Sequence, residues 1–365
     1  MTHVTGTLVT PDLTYWGQVE FDTHIQAVRP LQAPQGLPRR FILPGFVDLH
    51  MHGGGGADCM DGEQAVRQMA RFHARHGTTA LLATTVTAPL EELEAALQGI
   101  AAVVQRPQPG EARVLGAHLE GPFINPQKLG AQPPYALLPS IETMRHLMRL
   151  APIRVVTLAP ELPGALELIA FLKAQGVRVQ QGHTLATYAE SKAGFEAGAQ
   201  GFTHFFNAMT PLHHREPGVA GLGLERAEWA ELIPDGLHVH PAAIRTVWKT
   251  VPHTYAVTDA VAAAGMPEGA YPLGRYTVYK KGQGVFLADG TLAGSALTLD
   301  QAVQNLHRWG YGLQDILRMT SSLAAQYLGM PHGLEAGRPA DLVVLDEQLQ
   351  LVEVYVRGQK VEVSG

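Results

Sequence analysis

Short runs at both ends of the chain carry strand character. Val4–Thr10, Tyr15–Phe21 and His24–Val28 read as brief β segments separated by turn residues, followed by a Pro-containing stretch to Arg40. Near the other end, Asp341–Leu345 and Leu351–Arg357 are alternating or continuously apolar, and neither end shows a helical period. The two ends are therefore expected to pair into one small β domain, residues 1–43 with 335–365. Between them, from Pro44 to Leu334, apolar runs alternate with helical periods. Eight runs read as buried strands: Phe46–His50, Thr79–Val86, Val114–Glu120, Arg154–Ala159, Val177–His183, Gly201–Phe206, Glu231–Gly236 and Tyr255–Asp259. Helical spacing marks Glu63–His76, Leu90–Val104, Ile141–Leu150, Ala165–Gln175 and Tyr188–Ala197, with Gly77, Gly176 and Gly198 placed as C-caps. Eight strand–helix units over residues 44–334 predict a (β/α)8 barrel of the α/β class. A doubly wound open sheet is the competing arrangement, but no GxGxxG loop follows the first strand. A β-rich excursion over 269–294, with Tyr276–Lys280, Gly284–Leu287 and the turn Asp289–Gly290, is expected after the eighth strand.

Composition narrows the class of partner. The 365 residues are 46% hydrophobic and 16% charged, typical of a folded chain, with 27 Lys+Arg against 33 Asp+Glu and a net charge of −6. Mild acidity without a basic stretch argues against nucleic acid as the main partner. No apolar run is long enough to cross a membrane, and the N-terminus lacks the pattern of a signal peptide. The single cysteine, Cys59, can form no internal disulfide, so a soluble protein of the reducing cytoplasm is expected. Against that one Cys stand 17 His, the commonest metal-ligand type.

In a barrel of this kind, catalytic groups gather at the C-terminal strand ends, and polar residues fall there: Asp48, His50 and His52, then His118 and Glu120, His183, His204, and Asp259. His50 and His52, two apart on a strand, share one face and can chelate one divalent ion; two hydrogen-bonded histidines are the alternative. Glu120 closes an apolar strand and needs a partner, either a metal or an arginine. His118 is expected one layer deeper, orienting Glu120 or packed as a core histidine. His183 and His204 occupy matching strand ends, and with Glu120 they make an ordinary zinc or iron ligand set. Asp259 reads as a ligand, a general base, both, or a turn cap.

The segments PGFVDLHMHGGGGAD (44–58), HLEGPFINPQKLGAQ (118–132), VTLAPE (156–161), GHTLATY (182–188), THFFNAM (203–209), REPG (215–218), PDGLHVH (234–240), VTDA (257–260) and AGSALTL (293–299) resemble, in order, the N-acetylglucosamine-6-phosphate deacetylases of the amidohydrolase superfamily. The resemblance implies a barrel with a small β-sandwich built from both termini. It implies Glu120, His183 and His204 as the principal ligands of a divalent ion, zinc or else iron, manganese, cobalt or nickel. Because this chain keeps His50 and His52, it also allows a second ion, with Glu120 bridging and Asp259 as a further ligand. Asp259 is implied as the catalytic acid/base. Substrate contacts are implied at Ala131, Gln132, Asn207, Ala208, Arg215, Asp235, Gly236, Leu237, His238, Ala293, Gly294 and Ser295. Arg215 and His238 are the expected phosphate binders, His238 across a dimer interface. The implied protein is a homodimeric enzyme that hydrolyses the N-acetyl group of N-acetylglucosamine 6-phosphate. Alternatives are the galactosamine epimer, a cyclic amide or N-acyl amino acid, or a non-catalytic metal-binding barrel.

Overall fold

A computed structural model describes residues 1–34 and 39–364; part of the Pro-containing stretch before Arg40 lies outside them. Eight strands form one parallel sheet in chain order: Phe46–Met51, Thr78–Thr85, Arg113–Glu120, Ile153–Leu158, Arg178–Gln181, Gly201–Phe202, Trp229–Leu232 and His253–Ala256. The second of them, TTALLATT, is buried at every position. A strand covered on both faces has no need of polar alternation, which is why these strands read as continuous apolar runs. The ring closes just beyond the strands. Met51 bridges Ala260, the Asp259 amide donates to the His50 carbonyl at 2.8 Å, and the Thr258 hydroxyl donates to Asp48 at 2.7 Å. The expected barrel is thus the observed one.

The helices follow the sequence reading closely. Glu63–Arg75, Leu90–Gln105, Ile141–Met148, Ala165–Ala174 and Tyr188–Ala197 begin where expected and end within two residues of it. Tyr188–Ala197 starts in a capping box in which the Thr187 hydroxyl takes the Glu190 amide and the Glu190 carboxylate takes the Thr187 amide. Gly77, Gly176 and Gly198 all adopt positive φ at or just past the helix ends. The strands, however, are shorter than their apolar runs. The fifth, sixth and eighth stop before His183, His204 and Asp259, and these three residues take left-handed backbone, with φ of 47°, 30° and 50°. They belong to the turns that leave the strands.

Strands from both ends make one seven-stranded sheet, ordered Gln359–Val361, Leu351–Val356, Leu342–Leu345, Phe41–Pro44, Thr2–Val9, Thr14–Phe21 and Ile25–Pro30. Three strands separate Phe21 from Tyr355 in that order, yet their rings meet edge to face at 5.1 Å. Neighbouring strands lie about 4.8 Å apart, so the sheet must curl back on itself as a sandwich. Leu8, Val19, Ile42, Leu342 and Val344 fill the space enclosed. The excursion after the eighth strand is a four-stranded antiparallel sheet, Gly269–Leu273, Tyr276–Lys281, Gly284–Phe286 and Leu292–Ser295. It returns the chain to the barrel mouth, where the Ser295 amide donates to the Asp259 carbonyl at 2.8 Å.

Candidate metal centre and cleft

Glu120, the last residue of the third strand, sits at the centre of the mouth and is 1% exposed. Its Oε1 lies 3.1 Å from His183 Nε2 and 3.0 Å from His204 Nε2, and those two nitrogens are 3.1 Å apart. The other ring nitrogen of His183 donates to the Lys128 carbonyl at 2.8 Å, so Nε2 in the neutral ring is a bare lone pair. The His183 lone pair and the Glu120 carboxylate oxygen, aimed at one point, repel one another, and His204 Nδ1 is buried without a partner. A cation among them reverses the sign of that interaction.

The other half of the site follows the same rule. His52 Nδ1 donates to the Thr84 carbonyl at 2.9 Å and His50 Nδ1 to Glu231 Oε2 at 3.1 Å, which leaves both Nε2 atoms bare in the neutral rings. His52 Nε2 faces Asp259 Oδ1 at 3.1 Å and Glu120 Oε2 at 3.3 Å; His50 Nε2 is 3.4 Å from Asp259 Oδ1 and 3.6 Å from Glu120 Oε1. Nδ1–H held by an oxygen is the arrangement that fixes a metal-binding imidazole in its ring orientation. His50, His52 and Asp259 form one potential ligand group and Glu120, His183 and His204 a second.

The electrostatics demand positive charge. Burial works against protonation of His52, yet the hydrogen bonds and charges of Asp259 and Glu120 outweigh it and lift the imidazole to about 9. His50 is also raised well above the ordinary value by Glu120 and Asp259, again against burial. Burial would also raise Asp259, but His50 and His52 pull it down to about 2, so it is ionised at any working pH. Two carboxylates and four imidazoles, three of them with Nδ1 tied to an oxygen, suit a divalent ion of zinc type. No cysteine takes part, since Cys59 is buried with its thiol directed at the Thr84 carbonyl.

Beneath the site a polar layer crosses the barrel. His118 is fully buried and bonds the Leu49 carbonyl at 3.0 Å and the Thr157 hydroxyl at 2.7 Å, not Glu120. Thr157 continues to Thr203, Gln180, Tyr255 and Glu231, and so back to His50. Glu231 escaped the sequence reading, although a carboxylate within the apolar strand WAEL is itself a signal of a buried partner. The Thr84 and Lys128 carbonyls left no such signal, because main-chain acceptors occur at every position.

Above these groups opens a cleft of about 350 Å³ whose walls include Lys128, Ala131, Gln132, Asn207, Ala208, His238 and Gly294, together with His52, Glu120, His183, His204 and Asp259. Arg215, Asp235, Gly236, Leu237, Ala293 and Ser295 are not among the lining residues. Arg215 is exposed in the segment 211–216. Asp235 holds His238, accepting its amide at 2.9 Å and its Nδ1–H at 2.6 Å. Burial opposes the His238 cation, but Asp235 more than compensates and raises it. His238 lines the cleft of its own chain. Ser295 serves the framework, its hydroxyl donating to the Thr258 carbonyl at 2.6 Å.

This barrel with its histidine–carboxylate mouth is the architecture of a metal-dependent hydrolase, and residues 41–363 match the family model described as the amidohydrolase family. The chain belongs to that family. Its relatives are more specific. A protein of Escherichia coli O157:H7 named N-acetylgalactosamine-6-phosphate deacetylase is 42% identical over 351 residues, covering 93% of this chain and 92% of the relative. An N-acetylglucosamine-6-phosphate deacetylase of Vibrio furnissii is 39% identical, covering 88% and 82%. A variant of the Mycobacterium smegmatis N-acetyl-D-glucosamine-6-phosphate deacetylase, solved in complex with N-acetyl-D-glucosamine 6-phosphate, superposes with a TM-score of 0.92 at 34% identity, covering 100% of this chain and 99% of that one.

Proposed function

We propose that the chain hydrolyses the N-acetyl group of N-acetylglucosamine 6-phosphate, giving glucosamine 6-phosphate and acetate. The observation that carries this reading is the convergence of bare Nε2 atoms and two ionised carboxylates at the floor of a cleft, in a chain whose relatives bear that activity in their names. Glu120, His183 and His204 would hold one divalent ion, zinc in our reading. His50, His52 and Asp259, with the second oxygen of Glu120, would hold another. Such an ion supplies Lewis acidity at the acetyl carbonyl and lowers the pKa of water at the site toward 7.

The protein groups do the rest. Asp259, held ionised, takes the proton of the attacking water and returns it to the nitrogen that leaves. An amine departs only if it is protonated, so a residue able to carry that proton across the cleft is required. Arg215 and the His238 cation would grip the phosphate, with Ala131, Asn207, Ala208 and Gly294 shaping the sugar pocket. Asp235, Gly236 and Leu237 would hold His238 in place, and Ala293 and Ser295 would support Gly294. Binding energy gathered at the phosphate orients the acetamide over the metal centre.

Leu212, 57% exposed, and Leu237, 47% exposed, lie close in sequence to Arg215 and His238. We take these apolar residues as part of a homodimer interface beside the cleft, in a cytoplasmic enzyme. Light scattering in solution tests the dimer. For the activity, acetate release is compared on N-acetylglucosamine 6-phosphate, its galactosamine epimer and the unphosphorylated sugars. The reading expects the 6-phosphates to react and the free sugars to lag by at least about 100-fold, the scale of a lost charged clamp. Equal rates with and without phosphate would overturn it.

A further inference from the structure

Gln132 is 6% exposed in the cleft wall, a place that suits a substrate contact, but its amide is turned to the protein. Its Oε1 accepts the Thr87 main-chain N–H at 2.6 Å, and its Nε2 donates to Glu120 Oε2. The Thr87 amide can only donate. A flipped Gln132 would set an NH2 against that N–H and a carbonyl oxygen against the carboxylate, two repulsive contacts, so the orientation of the amide is fixed. The fixed amide in turn fixes Glu120. A free carboxylate turns easily about its last torsion, which is broad and two-fold. Here Oε1 is directed at His183 and His204, at 3.1 and 3.0 Å, while Oε2 faces His52 at 3.3 Å.

We infer that Gln132 is a positioning residue of the metal centre: anchored by Thr87, it sets the plane of the Glu120 carboxylate so that each oxygen serves one half of the site. The inference rests on the ligand assignment proposed above. Substrate need not be present for it to act, which separates it from a substrate contact. Metal affinity should therefore depend on Gln132 in the empty enzyme.

The test is competition for Zn²⁺ between the purified full-length protein and a chromophoric chelator, without substrate, in wild type, Gln132→Met and Gln132→Asn. Methionine keeps the length and loses both hydrogen bonds. Asparagine keeps the amide but is too short to span Thr87 and Glu120. Both variants should bind the first ion about 10- to 100-fold more weakly, the usual loss when a ligand's outer hydrogen bond is removed. With Co²⁺ in place of Zn²⁺, the visible spectrum should shift as the carboxylate turns. KM measured at saturating metal should change little. Circular dichroism and thermal midpoints of the metal-free proteins identify a variant that fails to fold, in which case the other decides. Variants that hold the ion within threefold of wild type while KM rises would make Gln132 a substrate contact and overturn the inference. Failure of wild type itself to bind Zn²⁺ would instead count against the ligand assignment.

Discussion

Asp259 has one carboxylate oxygen between two imidazole nitrogens, 3.1 Å from His52 and 3.4 Å from His50. Its amide and carbonyl are both tied, to His50 and Ser295. Replacing Asp259 by Asn keeps the shape and removes the proton acceptor. Turnover should fall by about 10²–10⁴, the span of a lost general base, while metal analysis still finds an ion on Glu120, His183 and His204. Near-normal acetate release from that variant would contradict the role. Arg215 makes a contrasting case, since it lies on an exposed segment and is not among the residues lining the cleft. Arg215→Ala should lower kcat/KM on the 6-phosphate by about 10- to 100-fold, the worth of a charged hydrogen bond, and leave the slow reaction of the unphosphorylated sugar unchanged. Equal losses on both would exclude a phosphate contact. At this scale the residues that converge on the mouth were legible from their positions: His50, His52, Glu120, His183, His204 and Asp259 end apolar runs. Their partners were not. Glu231 reaches His50 across 181 residues of sequence, and the Thr84 and Lys128 carbonyls look like any other backbone.

The turns after the strands carry the chemistry at the element scale. Continuous apolar character carried the expected strands through His183, His204 and Asp259, but a strand pairs only while its neighbour does, and the sixth pairs only at Gly201 and Phe202. Beyond that the chain turns into left-handed backbone, uncommon for residues with a Cβ and held by the surrounding hydrogen bonds. Gly294 shows how little room those turns leave. It has φ of 69°, and a Cβ there would lie 2.5 Å from Val261 Cγ1 and 3.0 Å from the Asp259 carbonyl. Gly294→Ala should therefore destabilise the fold by about 1–3 kcal/mol, combining left-handed strain with overpacking, and should reduce turnover by displacing Asp259. A denaturant midpoint equal to that of wild type would contradict the packing. The five helices named from the sequence were legible to within two residues. Gly218–Arg226, with its sequence GVAGLGLER, gave no such period, and its glycines reflect contact instead: a Cβ on Gly223 would lie 2.4 Å from the Phe205 ring.

For the whole molecule, the barrel was legible because its strands alternate with helices in one rhythm, and the terminal sheet because both ends lack a helical period. The curl that brings Phe21 to Tyr355 was not, since a strand pattern specifies faces and not the bending of the sheet. Buried histidines also give the fold a pH dependence. Burial holds both His73 and His118 down at about 4, against an ordinary 6.5. The unfolded chain therefore takes up these protons first as pH falls. The contribution of these histidines to stability is complete above about 6.5, declines between about 6.5 and about 4 by up to about 1.4 kcal/mol per pH unit for each group, and levels off below. Denaturant midpoints across that window should fall less steeply for His73→Gln than for wild type; parallel slopes would contradict the assignment for His73. Deacetylation itself should depend on a bound metal ion. The most direct measurement is acetate release from N-acetylglucosamine 6-phosphate by protein stripped with a chelator and then reloaded, with bound metal counted at each stage. Activity should disappear with the ion and return as Glu120, His183 and His204 are refilled. A metal-free protein that deacetylates at the original rate, or a metal-loaded one that releases no acetate, would contradict it.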